Sequence, residues 1–185
     1  MILEDNFLDD FPTMRKYCDL MEYKSAVCPL DDVTYHGICT KIPPQVLEEI
    51  WFKIELVMGC EIEPKFTFMR LTKKGTYMPN HTHNDSDMAQ WTFLLYLNRD
   101  EHCAGGTEIV THRDGNPIPR EKWVADHDKQ EKWEIVETAQ MRENRACIFK
   151  AEILHRAQPF DGFGTTTEDG RLVLTCFFDA DPISH

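Results

Sequence analysis

Two histidines and one aspartate have the residue types and the spacing of a metal site. His83 and Asp85 lie in the run HTHNDSDMAQWTFLLYLN, and His155 lies in KAEILHRAQPFDGFG. Side chains of a β-strand repeat their direction every second residue, so His83 and Asp85 would project from the same face. A distant strand that carries His155 would then complete a set of two imidazoles and one carboxylate. Such a set holds Fe(II) from one side and leaves its other coordination positions open.

Other interpretations of these residues stay open at this point. The segment THNDSD is rich in turn-forming residues, so His83 and Asp85 would also suit an exposed loop, with His155 bonded to backbone at a strand end. Gly75, His81 and His83 also match the G-x5-H-x-H opening of a cupin, which would use His81, His83 and His155 as ligands. The glutamate and the second glycine motif of that pattern are missing. A jelly roll that binds a ligand without catalysis is a third interpretation.

Two further polar residues lie on segments that are typical of strands. Arg171 opens RLVLTCFF, where alternation gives it the same face as Val173, Thr175 and Phe177. A guanidinium inside a barrel requires an anionic partner, and a dicarboxylate would supply one through paired hydrogen bonds. Tyr96, in FLLYLN, would present its hydroxyl to the same carboxylate. The GGT at 105–107 would let a strand pass close to that ligand.

The elements that must position these residues are mainly strands. One strong helix is predicted from Pro43–Pro44 to Gly59, and weaker helical turns flank Pro12. After Lys65 the pattern changes to short segments rich in β-branched and aromatic residues: FTFMRLT, WTFLLYLN, GGTEIVTH, WEIVETA, RACIFK and RLVLTCFF. We therefore predict a mainly β fold with N-terminal helices. A single domain spans 1–185, with 1–64 mostly helical and 65–185 forming a jelly-roll barrel whose mouth holds a ligand.

Composition and charge exclude several classes of protein. The formal net charge of -12 at pH 7 disfavours nucleic acid as a partner, because phosphate contacts need clustered Lys and Arg. The start MILEDNFLDD is too acidic for a secretion signal. The longest apolar stretch, 91–97, is far shorter than the about 20 residues that cross a bilayer. The seven cysteines are scattered and form no CxxC pair, which predicts reduced thiols and a cytoplasmic location.

Two features are candidates to enclose the ligand. The connection from Arg113 to Lys132 is too polar for a core and too long for a simple turn, so it is the best candidate to close over a substrate. The aromatic candidates for the pocket wall are Phe93, Phe149 and Phe177.

The order of these motifs resembles the Fe(II)/2-oxoglutarate-dependent oxygenases. The chain carries in succession HND at 83–85, YLN at 96–98, GGT at 105–107, NRACIF at 144–149, LHRAQPFDGFG at 154–164 and GRL at 170–172. The resemblance runs from Phe66 to Asp179, and it is nearest to the small prolyl-4-hydroxylase-like enzymes of bacteria and phages. Many members carry a Ser or Thr two residues after the arginine, where this chain has Val173.

The resemblance implies a double-stranded β-helix and a role for each candidate residue. It assigns the binding of Fe(II) to His83, Asp85 and His155. Arg171 becomes the partner of the distal carboxylate of 2-oxoglutarate, and Tyr96 becomes a second contact to that cosubstrate. The implied reaction uses O2 to hydroxylate a C–H bond and releases succinate and CO2. The prolyl-hydroxylase-like group points to an amino-acid or peptidyl substrate.

Overall fold

The computed structural model describes residues 1–28, 32–76, 78, 81–115 and 117–180. In these ranges the chain forms ten strands: β1 (Ile2–Glu4), β2 (Lys24–Val27), β3 (Thr34–Cys39), β4 (Glu63–Thr72), β5 (Trp91–Tyr96), β6 (Gly106–His112), β7 (Trp133–Gln140), β8 (Ala146–Lys150), β9 (His155–Gln158) and β10 (Arg171–Asp179). The α-helices are α1 (Phe11–Leu20), α2 (Pro44–Met58) and α3 (Arg120–Asp126). Single 3-10 turns lie at Asp100–His102 and Gln130–Lys132.

The described strands form two antiparallel sheets. The larger sheet has seven strands in the order β1-β8-β5-β10-β4-β3-β2, and the smaller sheet has the order β7-β6-β9. The central strand β10 pairs with β4 on one side and with β5 on the other, so Val173 lies opposite both Arg70 and Tyr96. Strands that are neighbours in space are therefore distant in sequence. This winding brings the ends of several segments to one cavity.

The alternation along β10 separates the hydrophobic core from that cavity. One face packs into a core with Met14 of α1 and Ile50 of α2, and it consists of Leu172, Leu174, Cys176 and Phe178. The opposite face lines the cavity, and it consists of Arg171, Val173, Thr175 and Phe177. The division of this strand predicted from sequence is confirmed.

The two N-terminal helices cover the outer face of the larger sheet, and their ends follow from local chemistry. α2 begins at Pro44, where a missing backbone N–H costs nothing, and it ends at Gly59, whose φ of 70° suits the left-handed cap. The side chain of Asp10 caps α1 by accepting a hydrogen bond from the Thr13 N–H at 3.2 Å. None of the helices in the described ranges is long and apolar enough to cross a membrane.

The segment 1–64 contains more strand than the sequence predicts. β2 and β3 form an antiparallel hairpin that joins the larger sheet where Ile38 pairs with Arg70. All four residues of β2 are exposed, so the segment lacks the alternation of apolar residues that marks a half-buried strand. The description of 1–64 as mostly helical is corrected accordingly. The connection 113–132 contains α3, and Asn116 within it lies outside the described residues.

Candidate metal centre

Backbone hydrogen bonds bring the two predicted histidines side by side. His83 and His155 form an isolated β-bridge, in which the His83 N–H donates to His155 O at 3.1 Å and the His155 N–H donates to His83 O at 2.8 Å. The Asp85 N–H donates to Ala151 O at 2.7 Å, which ties Asp85 to the connection between β8 and β9. The pairing of two sequence-distant segments therefore sets the positions of all three side chains.

The three side chains form a compact cluster. Their candidate ligand atoms all lie within 4.8 Å of one another. Asp85 Oδ1 is 3.6 Å from His83 Nε2, and Asp85 Oδ2 is 3.3 Å from His155 Nε2. Asp85 and His155 are buried, and His83 is partly exposed toward the cavity. Each residue can thus offer one atom to a single ion.

The hydrogen bonds of the two rings leave the right nitrogens available to a metal. His83 Nδ1 lies 3.2 Å from His81 O, and His155 Nδ1 lies 3.0 Å from Ile153 O. Since a carbonyl only accepts, each Nδ1 carries the proton and each Nε2 presents a lone pair. Burial and the neighbouring His155 lower the pKa of His83, which keeps that ring neutral. Two lone pairs and a carboxylate facing one another require a cation between them, so the cluster fits a metal ion.

Thr92 is a further residue of this centre that the sequence did not identify. Its hydroxyl donates to Asp85 Oδ2 at 2.9 Å, and the pair is buried. This bond leaves Asp85 Oδ1 for a metal and fixes the rotation of the carboxylate. The only sequence signal was the alternation of β5, which gives Thr92 the same face as Tyr96.

The cluster opens into a cavity of about 530 Å³ whose wall includes Arg171. The Arg171 Nη2 lies 3.4 Å from both Gly106 O and Thr107 Oγ1, and its Nε has no hydrogen-bond partner among the described residues. No carboxylate in the described ranges forms an ion pair with Arg171. The guanidinium of Arg171 therefore lies in the same cavity as the cluster, as predicted, and has no anionic partner among the described residues.

Tyr96 is placed differently from the prediction. The side chain is fully buried, and its hydroxyl lies 2.9 Å from Thr107 Oγ1 and 3.1 Å from Ala139 O. Thr107 lines the cavity, whereas Tyr96 does not. The hydroxyl beside Arg171 therefore belongs to Thr107, which the sequence did not identify. The buried Tyr96 hydroxyl forms a hydrogen bond with Thr107 Oγ1.

The GGT motif explains how Thr107 reaches this position. A Cβ on Gly106 would lie 2.0 Å from Ala139 O, and a Cβ on Gly105 would lie 2.2 Å from Gln158 O. Only glycine allows β6 to pass this close to β7 and β9.

His81 does not join the cluster. Its buried ring packs edge-on against Phe160, with ring centroids 4.3 Å apart, and the metal-type cluster of the described residues contains Asp85 instead. The cupin ligand set of His81, His83 and His155 is therefore not formed. Spacing alone could not separate H-x-H from H-x-D, because residues 81, 83 and 85 would share one face of a regular strand.

The aromatic candidates fall in three different places. Phe177 lines the cavity, and Phe149 packs its ring edge-on against His155 with centroids 4.8 Å apart. Phe93 points to the opposite face of β5 and belongs to the core under the helices, so its assignment to the pocket wall was wrong. At the cavity mouth, α3 contributes Trp123 and Val124 from the connection 113–132.

Comparison with known proteins adds a family and a fold. The model of a family described as the 2OG-Fe(II) oxygenase superfamily matches residues 66–179, more than half of the chain. No curated protein matches the sequence. The carbocyclase SnoK from nogalamycin biosynthesis superposes with a TM-score of 0.60 at 14% identity, covering 97% of this chain and 79% of that chain.

Two further solved structures are similar over comparable lengths. A prolyl hydroxylase from Trichoplax adhaerens, in complex with a hypoxia inducible factor peptide fragment, has a TM-score of 0.57 at 13% identity and covers 96% of this chain and 82% of its own. AviO1 from Streptomyces viridochromogenes Tue57 has a TM-score of 0.56 at 13% identity, with coverages of 96% and 87%. At such low identities these likenesses show the fold alone. The fold is the double-stranded β-helix, which confirms the predicted jelly roll.

Proposed function

Because the chain belongs to the 2OG-Fe(II) oxygenase superfamily, we propose that His83, Asp85 and His155 hold its iron and that it hydroxylates a C–H bond of an amino-acid or peptidyl substrate. The enzyme is an Fe(II)- and 2-oxoglutarate-dependent dioxygenase by family. The observation that carries the residue assignment is the His–Asp–His cluster, with both Nε2 lone pairs turned toward one carboxylate.

The chain's own residues prepare this site for Fe(II). The carbonyls of His81 and Ile153 hold the two imidazoles in the tautomer that binds a metal, and Thr92 orients Asp85. When bound, Fe(II) supplies the site for O2 activation through the positions that the three protein ligands leave open.

Arg171 and Thr107 are proposed to hold the distal carboxylate of 2-oxoglutarate. Arg171 is buried and lacks an acidic partner in the described part of the chain, so an arriving carboxylate would complete its hydrogen bonds. Thr107 Oγ1 would add a hydroxyl contact, and the Tyr96 hydroxyl would hold Thr107 in place. Tyr96 thus acts through Thr107. The Thr107 hydroxyl takes the place of the Ser or Thr hydroxyl that many family members carry at the position of Val173.

The substrate would enter beside α3. Trp123 and Val124 form part of the cavity wall there, which supports the connection 113–132 as the element that covers the substrate. The amino-acid or peptidyl assignment is supported by the fold shared with a prolyl hydroxylase that was solved with a peptide fragment. We further propose a cytoplasmic location, because all seven cysteines are free thiols.

Uncoupled turnover tests the proposal without knowledge of the substrate. Purified enzyme with Fe(II), ascorbate and O2 is expected to convert 2-oxoglutarate slowly to succinate and CO2. The rate is measured as labelled CO2 released from 2-oxoglutarate that carries the label in the carboxylate lost as CO2. His155→Ala is expected to abolish the release, whereas His36→Ala, which removes an exposed histidine bonded to Ser25, provides the matched control. Release of label by His155→Ala at the wild-type rate would overturn the assignment of this ligand.

A further inference from the structure

A second arginine projects into the same cavity. Arg70 lies on β4, where the cavity face of the strand consists of Phe66, Phe68, Arg70 and Thr72. Its guanidinium carbon lies 5.3 Å from the centroid of the Tyr35 ring, and its Nη2 lies 3.5 Å from Met78 Sδ. Its Nε is buried without a hydrogen-bond partner among the described residues. The group thus faces an aromatic ring and a weak thioether acceptor, and neither of these contacts is to a carboxylate.

The other enclosed arginines outside the cavity are paired with acids. Arg15 bonds Asp19 at 2.6 Å, Arg145 bonds Asp5 at 2.5 Å, and Arg156 bonds Glu108 at 2.7 Å. In the ranges that the structure describes, neither Arg70 nor Arg171 has such a pair. Burial and the positive charge of Arg171 lower the pKa of Arg70 to about 10, so it remains charged at neutral pH. A buried charge of this kind is costly unless an anion arrives to pair with it.

The cosubstrate does not account for both arginines. With neutral histidines, the charges of Fe(II), Asp85, a 2-oxoglutarate dianion and Arg171 cancel. The charge of Arg70 is then left over. Arg171 contacts Gly106 and Thr107 on β6, whereas Arg70 contacts Tyr35 on β3, so the two guanidinium groups make their contacts at different strands of the cavity wall. The cavity therefore requires a second anion on the β3 side.

We propose that Arg70 binds a carboxylate of the substrate and selects anionic substrates that carry an apolar body. The proposal rests on the proposed function and names the substrate class of that site. A guanidinium recognises a carboxylate through paired hydrogen bonds, and Tyr35 keeps its planar group oriented from one side. The wall around Arg70 is apolar and would hold the rest of the molecule; its residues include Ile38, Phe66, Phe68 and Phe177.

A pair of isosteric probes tests this assignment. Enzyme loaded anaerobically with Fe(II) and saturating 2-oxoglutarate is titrated with 4-fluorophenylacetate and with 4-fluorophenylacetamide, and 19F NMR gives both dissociation constants. We expect the wild type to bind the acid at least about tenfold more tightly than the amide, because a hydrogen bond to a charged group contributes about 1.5–3 kcal/mol. Arg70→Gln should bring the ratio close to one, and Arg70→Lys should restore part of it. A ratio that Arg70→Gln leaves unchanged, or no binding of the acid by the wild type, overturns the proposal.

The matched variant Arg171→Gln separates this proposal from the proposed function. The dissociation constant of 2-oxoglutarate should rise strongly in Arg171→Gln and stay within about threefold of wild type in Arg70→Gln, a change of less than 1 kcal/mol. An equal rise in both variants would make Arg70 a cosubstrate contact and would overturn the inference while leaving the oxygenase intact. Failure of the wild type to bind 2-oxoglutarate would instead refute the proposed function. Arg70→Met should melt no lower than wild type, and a large loss of stability would show a structural role.

Discussion

Replacement of Arg171 by glutamine tests the cosubstrate pocket most quantitatively. The guanidinium is 7% exposed and has no acidic partner in the described chain, with only two long contacts of 3.4 Å to Gly106 O and Thr107 Oγ1. The positive charge of Arg171 is therefore available to pair with an anionic ligand. Truncating one partner of a buried charged pair costs about 2–5 kcal/mol, and glutamine keeps one donor, so we take about 2–3 kcal/mol. The dissociation constant of 2-oxoglutarate should rise about 30- to 150-fold.

The assay is an anaerobic titration of the Fe(II)-loaded variant with 2-oxoglutarate, followed through the visible charge-transfer band of the chelate. Fe(II) affinity, measured separately, should remain near the wild-type value because Arg171 contacts none of the three ligands. The free energy of unfolding of the ligand-free protein should not fall, since an unpaired buried charge is removed. An unchanged 2-oxoglutarate affinity, or an equal loss of Fe(II) affinity, would refute this role for Arg171.

Three further predictions concern the surroundings of the cluster. Thr92→Val removes the hydrogen bond to Asp85 and should weaken Fe(II) binding about tenfold or more by competition titration; unchanged affinity would contradict the orienting role. Burial, Arg156 and His83 lower the pKa of His81 to about 3. The unfolded chain therefore takes up a proton at His81 below about pH 6.5 that the folded chain does not, so His81 should make the metal-free protein about 2 kcal/mol less stable to urea at about pH 5 than at about pH 7. His81→Phe should reduce this dependence of stability on pH, leaving the part due to His83, whose pKa is also lowered; an unchanged dependence would exclude His81 as a source. Trp123→Ala should leave 2-oxoglutarate binding unchanged but lower the share of turnover coupled to substrate hydroxylation, and parallel loss of both would assign α3 a structural role.

Much of the site could be predicted from the sequence because period-two alternation is a local property. It placed Arg171 on the cavity side of β10, whereas His83 and Asp85 lie on an irregular segment with a single β-bridge and not on the predicted strand. The same alternation contradicts the assignment of Phe93 to the pocket, since its neighbour Thr92 faces the cluster.

Other features depend on contacts that no local pattern contains. The bond between Tyr96 and Thr107 joins β5 to β6 across two sheets, and its distance depends on how closely glycine lets β6 approach β7. The hairpin of β2 and β3 was missed because β2 is exposed along its whole length and its residues follow no apolar alternation. Arg70 was visible in FTFMRLT, yet only the folded cavity shows that its Nε is buried without a hydrogen-bond partner among the described residues.

The central claim is that His83, Asp85 and His155 bind Fe(II) and present it to 2-oxoglutarate. The most direct measurement is the anaerobic titration of metal-free protein with Fe(II) and 2-oxoglutarate, run on wild type, Asp85→Ala and the neighbouring control His81→Ala. The chelate band should develop in wild type and His81→Ala and be absent from Asp85→Ala. A band of full intensity in Asp85→Ala, or its loss in His81→Ala alone, would contradict the assignment of the metal ligands.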